Sequence, residues 1–270
     1  MQNKSNINLT FSYVNDKVDL TSAKKKIIRI SSKGFCIAVI PHEKTPELLY
    51  QYTFTSNSLS LEDKFNAIAD VDKELNIACE NNSFRLYTQS NVQVPEEFYD
   101  SGNEKTILPL MVEKPEQYTP FAENVSAWKL YNISAWGKDL HSGLIKKFPN
   151  YKLSTVLSSL LPIVARKKSG KNALIFVEDY NFTIIAVDGD KLLGANTFVF
   201  SNEGDFIYYS SVFLRKMYAH PDDVSLKLCG NIAPQSPIHS ILNRYFTNVE
   251  MLSCSEDASG NYSYFCDLFE

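Results

Sequence analysis

No Cys-x-x-Cys pair occurs in the chain, and its five cysteines, Cys36, Cys79, Cys229, Cys254 and Cys266, are scattered. This excludes a zinc knuckle and a thioredoxin-type redox site, because both need paired thiols at short spacing. The four histidines, His42, His141, His220 and His239, stand alone, without an H-x-x-x-H or H-E-x-x-H arrangement, so no metal site is expected. There is no G-x-S-x-G elbow for a serine hydrolase. Ser169-Gly-Lys171 has the end of a phosphate loop but Ala165 stands where its glycine is needed. No residue is assigned as catalytic. Long apolar runs are missing too. The most apolar helical stretch, Val156 to Ala165, contains two serines and Pro162 and falls well short of the about 20 residues that cross a bilayer. Met1-Gln-Asn-Lys-Ser5 leads into no apolar segment, which argues against a secretory leader. Basic charge is not in excess: 27 Lys and Arg against 31 Asp and Glu give a net charge of −4. A nucleic-acid partner is therefore not expected, since displacing counterions needs a basic surface. The expectation is a reduced, cytoplasmic protein without a membrane span.

What is present is a repeated order of elements. Ala173–Val177, Phe182–Val187 and Asn196–Phe200 are β-branched and aromatic runs bounded by the turns Glu178-Asp-Tyr-Asn181 and Asp188-Gly-Asp190, and predict a three-strand meander. Asp205 can cap a helix carrying Phe206, Tyr209, Phe213 and Met217 at three- and four-residue steps. Val224–Cys229 returns as a strand ending at Gly230, and Ser236 with Pro237 opens a last amphipathic helix. The earlier half has the same order. Ile27–Ile30, the turn Ser31-Ser-Lys-Gly34, Phe35–Ile40 and Tyr50–Thr55 precede a helix capped by Ser60, a strand Phe84–Thr88 and a short helix opened by Pro95. Phe35 and Phe182 begin the second strand of each copy, and Lys24-Lys-Lys26 and Arg166-Lys-Lys168 precede them.

Outside the repeat, Ile7, Leu9, Phe11 and Tyr13 alternate as an added N-terminal strand. Gly102 to Asn124, with three prolines, is expected to be a long connection with a short helix around Leu108, of the kind that carries binding or mobility. Trp128–Ile133 is expected as a further strand of the first domain. A helix should start at Ser134, and another at Ser154 with a kink at Pro162. Val249–Leu252 and Tyr262–Cys266 are expected to be closing strands. The polar loop Lys167–Asn172 sets the boundary between two α/β domains, 1–168 with the extra N-terminal strand and 169–270 with an extra C-terminal strand.

This architecture resembles the duplicated actin-like ATPase (ribonuclease H-like) superfold, each domain a mixed sheet of order strand-strand-strand-helix-strand-helix-strand flanked by helices. On Ile30-Ser-Ser-Lys-Gly-Phe-Cys-Ile37, Trp128-Lys-Leu-Tyr-Asn-Ile-Ser134, Lys147-Phe-Pro-Asn150 with Ser154-Thr155, and the aromatic C-terminal end, the chain is more narrowly similar to a bacterial domain-of-unknown-function family, number 3822, that has this fold. The resemblance extends more distantly to pilus and secretion-system proteins with an actin-like cytoplasmic domain. It implies a nucleotide between the domains, its phosphates held by the first hairpin turn of each and its adenine packed on a Gly-Gly turn.

The places to test are then Ser31, Ser32, Lys33 and Gly34 in one turn, Glu178, Asp179 and Asn181 in the other, and Gly230 with Asn231 after the returning strand. The first turn has one glycine and no carboxylate. The second has acids but no glycine, with Asn181 as the residue able to turn left-handed and Tyr180 crowding any phosphate. Cys229-Gly-Asn231 is half of a Gly-Gly turn. A vestigial nucleotide crevice follows, in a non-catalytic binding or scaffold protein that takes a protein partner or a second copy and needs no cofactor. The alternative is an ATP-dependent phosphotransferase or ATPase in which Ser31 to Gly34 touch phosphate and Asp179 holds magnesium. A small-molecule sensor that kept the crevice and changed its ligand is the third reading.

Overall fold

The computed structural model describes residues 6–15, 23–40, 47–88, 90–165, 170–220, 223–252 and 262–268. The elements run in chain order as β1 (Ile7–Val14), β2 (Ala23–Ile30), β3 (Gly34–Ile40), β4 (Leu48–Phe54), α1 (Leu61–Leu75), β5 (Cys79–Leu86) and β6 (Asn91–Pro95). After a 3-10 turn at Glu96–Phe98 come α2 (Glu104–Met111), β7 (Tyr118–Val125), β8 (Leu130–Gly137), α3 (Lys138–Lys147), β9 (Tyr151–Thr155) and α4 (Val156–Ala165). The remainder is β10 (Lys171–Val177), β11 (Asn181–Asp188), β12 (Lys191–Val199), α5 (Glu203–Met217), β13 (Ser225–Gly230), α6 (Pro237–Tyr245), β14 (Asn248–Met251) and a 3-10 helix at Tyr262–Leu268.

Two mixed sheets form the frame. One has the order β1-β4-β3-β2-β5-β9 and the other β12-β11-β10-β13-β14. In each, three strands meander antiparallel, and the first of them pairs parallel with a fourth that pairs parallel with a fifth. β1 extends the first sheet by pairing antiparallel with β4, which covers that edge. The hydrophobic pattern explains the stacking. β3 is buried along its whole length, as a strand covered on both faces must be. One face of the first sheet takes Phe65, Ile68 and Val71 of α1 and Leu144 of α3. One face of the second takes Phe206 and Leu214 of α5 and Leu242 of α6. The two remaining faces enclose a middle layer of α4 and the C-terminal 3-10 helix.

Several sequence expectations are corrected. Gly102 to Asn124 holds the short helix expected around Leu108, as α2, but it also contains β7, so it is not an irregular connection throughout. The strand expected at Trp128–Ile133 is present as β8 from Leu130, and it pairs with β6 and β7 in a separate three-stranded sheet. Ser134 does not cap a helix. It is buried in β8, where its hydroxyl donates to the Phe121 carbonyl and accepts from the Trp136 indole, and α3 begins at Lys138. Pro95 ends β6 and leads only into a 3-10 turn; the helix in the place corresponding to α6 is α3, reached after the inserted sheet. Ser154 and Thr155 finish β9, and Thr155 Oγ1 accepts the Ser158 amide as the capping group of α4. Asn202, not Asp205, caps α5, accepting the Asp205 amide at 2.9 Å. Tyr262–Cys266, expected as an extra C-terminal strand, is a 3-10 helix. Ser60 and Ser236 cap α1 and α6 as read from the sequence. The boundary at 168/169 and Arg166-Lys-Lys168 lie outside the described residues. Among the described residues no helix is long and apolar enough to cross a membrane.

Candidate functional site

The two hairpin turns that the resemblance assigns to phosphates are built alike. In the first, the Ser31 amide donates to the Gly34 carbonyl at 2.9 Å; in the second, the Glu178 amide donates to the Asn181 carbonyl at 2.7 Å. Each turn is then held by the end of the third strand, with Phe54 N–H donating to the Lys33 carbonyl and Phe200 N–H to the Tyr180 carbonyl.

The turns touch each other. Lys33 Nζ lies 3.3 Å from Asp179 Oδ1 and 4.6 Å from the centroid of the Tyr180 ring. Asn231, just past β13, donates its side-chain amide to the same Asp179 oxygen at 2.9 Å. Three of the elements singled out in the sequence therefore meet, and the carboxylate that could have held magnesium is engaged by an ammonium and an amide. The Lys33 side chain remains 42% exposed, so this contact closes space rather than adding stability, as exposed pairs contribute about 0–1 kcal/mol.

The two glycines have packing reasons. A Cβ on Gly34 would sit 1.9 Å from the Tyr52 carbonyl oxygen of β4, so the glycine permits close strand approach. Gly230 has φ +95°, and a Cβ there would lie 2.0 Å from the Val177 carbonyl oxygen. Asn181 is not left-handed. The positive-φ residues other than glycine, among those described, are Asn76, Lys129 and Gln235, and Asn181 simply opens β11.

Glu178 does not join Asp179. It is 3% exposed and turned into the layer between the sheets, where it accepts from the hydroxyls of Tyr87 and Tyr264, the latter at 3.1 Å. Beside it Arg29, 1% exposed, is hydrogen-bonded to Asp267 and donates to the Tyr264 carbonyl at 2.8 Å. Burial pushes the Glu178 carboxyl above its usual range, and the nearby Arg29 only partly opposes this. Burial works most strongly against the Arg29 charge, but Asp267, Tyr87, Cys36 and Tyr264 together outweigh it, and the guanidinium stays charged. The Cys36 thiol is pushed up to about 11 by burial, against the pull of Arg29, which makes it unreactive.

Among the described residues, Ser31 borders two cavities. One of about 240 Å³ is lined by Lys33, Gly34, Thr53, Asp179, Asn231 and Tyr264 among others. The second, of about 270 Å³, lies against Ser32, Phe65, Leu86, Tyr87, Glu178 and Asn181. Each falls below the roughly 300–1,000 Å³ of ordinary small-molecule sites. Among the described residues no group of three or more His, Cys, Asp or Glu is placed to hold a metal.

Arg29, Tyr87, Tyr264 and Asp267 were not singled out by the sequence reading. The available signal was a lone arginine inside the apolar strand Ile27-Ile-Arg-Ile30, and an acid inside the aromatic tail. Glu123 of β7 was also missed. Its carboxylate accepts from Thr155 N–H and from the hydroxyls of Thr155 and Ser158, fastening the inserted sheet to the start of α4. Burial raises its pKa, against those hydrogen bonds.

Two mixed sheets around a shared crevice define an α/β protein with an actin-like ATPase fold. A Bacteroides thetaiotaomicron protein with actin-like ATPase fold and unknown function is similar with a TM-score of 0.79 and 16% identity, covering 93% of this chain and 98% of that one. The PilM-PilN type IV pilus biogenesis complex is similar with a TM-score of 0.60 and 11% identity, covering 92% and 98%. The chain belongs to the family described as Protein of unknown function (DUF3822), which matches residues 15–249. No curated protein matches it.

Proposed function

We propose that the chain is a non-catalytic, cytoplasmic binding or scaffold protein, made of two actin-like domains, 1–168 and 169–270, that arose by internal duplication. The matching backbone closure of the two hairpin turns and the shared strand order support the duplication. One contact carries the functional reading: Lys33 to Asp179, with Asn231 on the same oxygen, fills the gap between the turns where phosphates and magnesium would lie. The similarity to a chain of the PilM-PilN type IV pilus biogenesis complex supports a protein partner in place of a nucleotide.

Thermal unfolding with and without millimolar magnesium ATP tests this. A ligand at a hundred times its dissociation constant adds about 2.7 kcal/mol, which moves the midpoint of a chain this size by roughly 5–10 °C. The expected result is no shift. A rise that disappears in Asp179→Asn would overturn the proposal in favour of an ATP-dependent enzyme.

A further inference from the structure

β1 is an edge of the first large sheet: it pairs with β4 on one side and, among the described residues, with no strand on the other. An edge strand presents a row of backbone donors and acceptors that another strand can pair with, and sheets blunt such edges with charge, proline or shortness. The other edges of this protein follow that rule. Lys152 stands in β9, Lys191 in β12, Glu250 in the short β14, Pro95 in β6, and Pro120 with Glu123 in β7. β1, Ile7-Asn-Leu-Thr-Phe-Ser-Tyr-Val14, has no charged residue and no proline along its whole length. Asn8 to Ser12 are exposed in unbroken succession, Leu9 and Phe11 among them, and Val14 is exposed as well.

One device does act on this edge. The β1–β4 register shifts between Leu9 and Phe11, so Thr10 is the extra residue of a bulge, and its hydroxyl donates to the Gln51 carbonyl at 3.1 Å. The bulge spreads the apolar side chains over both faces of the strand. Leu9 stands opposite Tyr52, which packs in one cluster with Phe65 of α1, whereas Phe11 stands opposite Gln51 and its ring lies 5.2 Å from that of Phe265. From Phe11 to Val14 the register is unbroken. A strand laid along this stretch gains backbone pairing in the middle and apolar cover on either side. The absence of charge also selects which strand it is. An edge that serves a different protein can carry charges that the partner complements, which adds specificity. An edge that meets its own copy antiparallel cannot, since the two-fold sets like charges opposite each other. β1 is the edge with neither that obstacle nor a proline.

We propose that β1 is a dimerisation edge, which pairs antiparallel with β1 of a second copy of this chain and joins the two first sheets across a two-fold axis. With the axis through Ser12, Phe11 of each copy stands opposite Tyr13 of the other, a cross-strand aromatic pair of the kind that stabilises antiparallel sheets. A lone pair of strands is smaller than a standard interface of about 1,600 Å², so the dimer is a weak one. The pairing holds whether or not the crevice takes a nucleotide.

Sedimentation of the unaltered chain over about 1–200 µM tests this, with a concentration-dependent shift from monomer to dimer expected. A chain that stays monomeric throughout overturns the proposal and leaves the edge to a strand of another protein. Leu9→Lys with Ser12→Lys in one chain brings like charges together at the axis and should weaken the dimer at least about tenfold, as should Leu9→Glu with Ser12→Glu. An equimolar mixture of these two chains should form a mixed dimer, which damage to β1 alone would not produce. Tyr208→Lys, on an exposed part of α5, should leave the dimer unchanged. A dimer that survives in both β1 double variants, or a mixture that forms no mixed dimer, overturns the proposal. Should the double variants fail to melt cooperatively, hydrogen exchange of the unaltered chain decides. Amides of residues 7–14 should exchange several-fold more slowly at the highest concentration than at the lowest, and equal exchange at both overturns the pairing.

Discussion

Replacing Gly34 by Ala separates the two explanations of the first hairpin turn. The added methyl would sit 1.9 Å from the Tyr52 carbonyl oxygen and 3.0 Å from Thr53 Cα. Carbon and oxygen approach no closer than about 3.3 Å even in the favourable contacts between strands, so β3 and β4 must part by more than about 1 Å. Both obstructing groups are backbone of β4, which pairs with Gly34 at the end of the β3–β4 ladder and with β1 on its other edge, so no side chain can swing aside. Overpacking typically costs about 1–3 kcal/mol, and the rigidity of the ladder places this case at the upper end. For a chain of this size about 3 kcal/mol lowers the melting midpoint by roughly 6–12 °C. Far-UV circular dichroism during heating measures it, with Gly137→Ala as the control, because a Cβ there meets nothing within 4 Å. A phosphate-cradling glycine would instead leave the ligand-free chain nearly unchanged. A midpoint for Gly34→Ala within about 2 °C of the unaltered chain would refute the packing explanation.

Two further outcomes follow from the charged groups. Glu178 is held above its usual value of 4.5 by burial, so its favourable contribution is complete below that pH and is lost as pH rises through the raised value. Urea midpoints for Glu178→Gln should therefore gain on the unaltered chain between mildly acidic and neutral pH, and a difference that stays constant with pH would contradict this. Lys33→Ala removes a half-exposed pair and should cost no more than about 1 kcal/mol by urea unfolding, without creating any response to ATP.

The parts of the fold that could be read from the sequence are those set by local chemistry. The three-strand meander that opens each large sheet follows from period and turn residues, and the caps Ser60 and Ser236 follow from their hydroxyls. The inserted sheet was not legible. Tyr118–Val125 carries Pro120 and a mixed polar pattern, because β7 lies at a sheet edge and is only half-buried, so neither alternation nor an apolar run marks it. The tail misled for the opposite reason. Tyr262-Ser-Tyr-Phe-Cys266 is as aromatic as a strand, but its aromatic and acidic residues answer to Arg29, more than 230 positions earlier, a pairing no local rule contains. Of the residues singled out in the turns, Lys33, Asp179 and Asn231 meet, and only their distances reveal that they bond to one another.

On the proposed duplication, with Phe35 equivalent to Phe182, Arg29 corresponds to Phe176. These two residues face each other, with Arg29 Cζ 5.4 Å from the Phe176 ring centroid. Equivalent positions that meet in this way lie near the axis relating the copies. An axis is where a duplicated protein cannot keep both copies alike in charge, since two arginines there would repel in a dry layer, whereas an arginine above an aromatic ring is attractive. One copy could become charged only if the other became apolar, and the resulting guanidinium needs an anion. Asp267, from beyond the second repeat, meets that need. The same substitution explains why the crevice carries no symmetric pair of acids. Glu178 is drawn inward toward Arg29 and away from the turn, while Asp179 is left to Lys33 and Asn231. The docking of the C-terminal 3-10 helix and the inward turn of Glu178 are, on this reading, both tied to the buried Arg29.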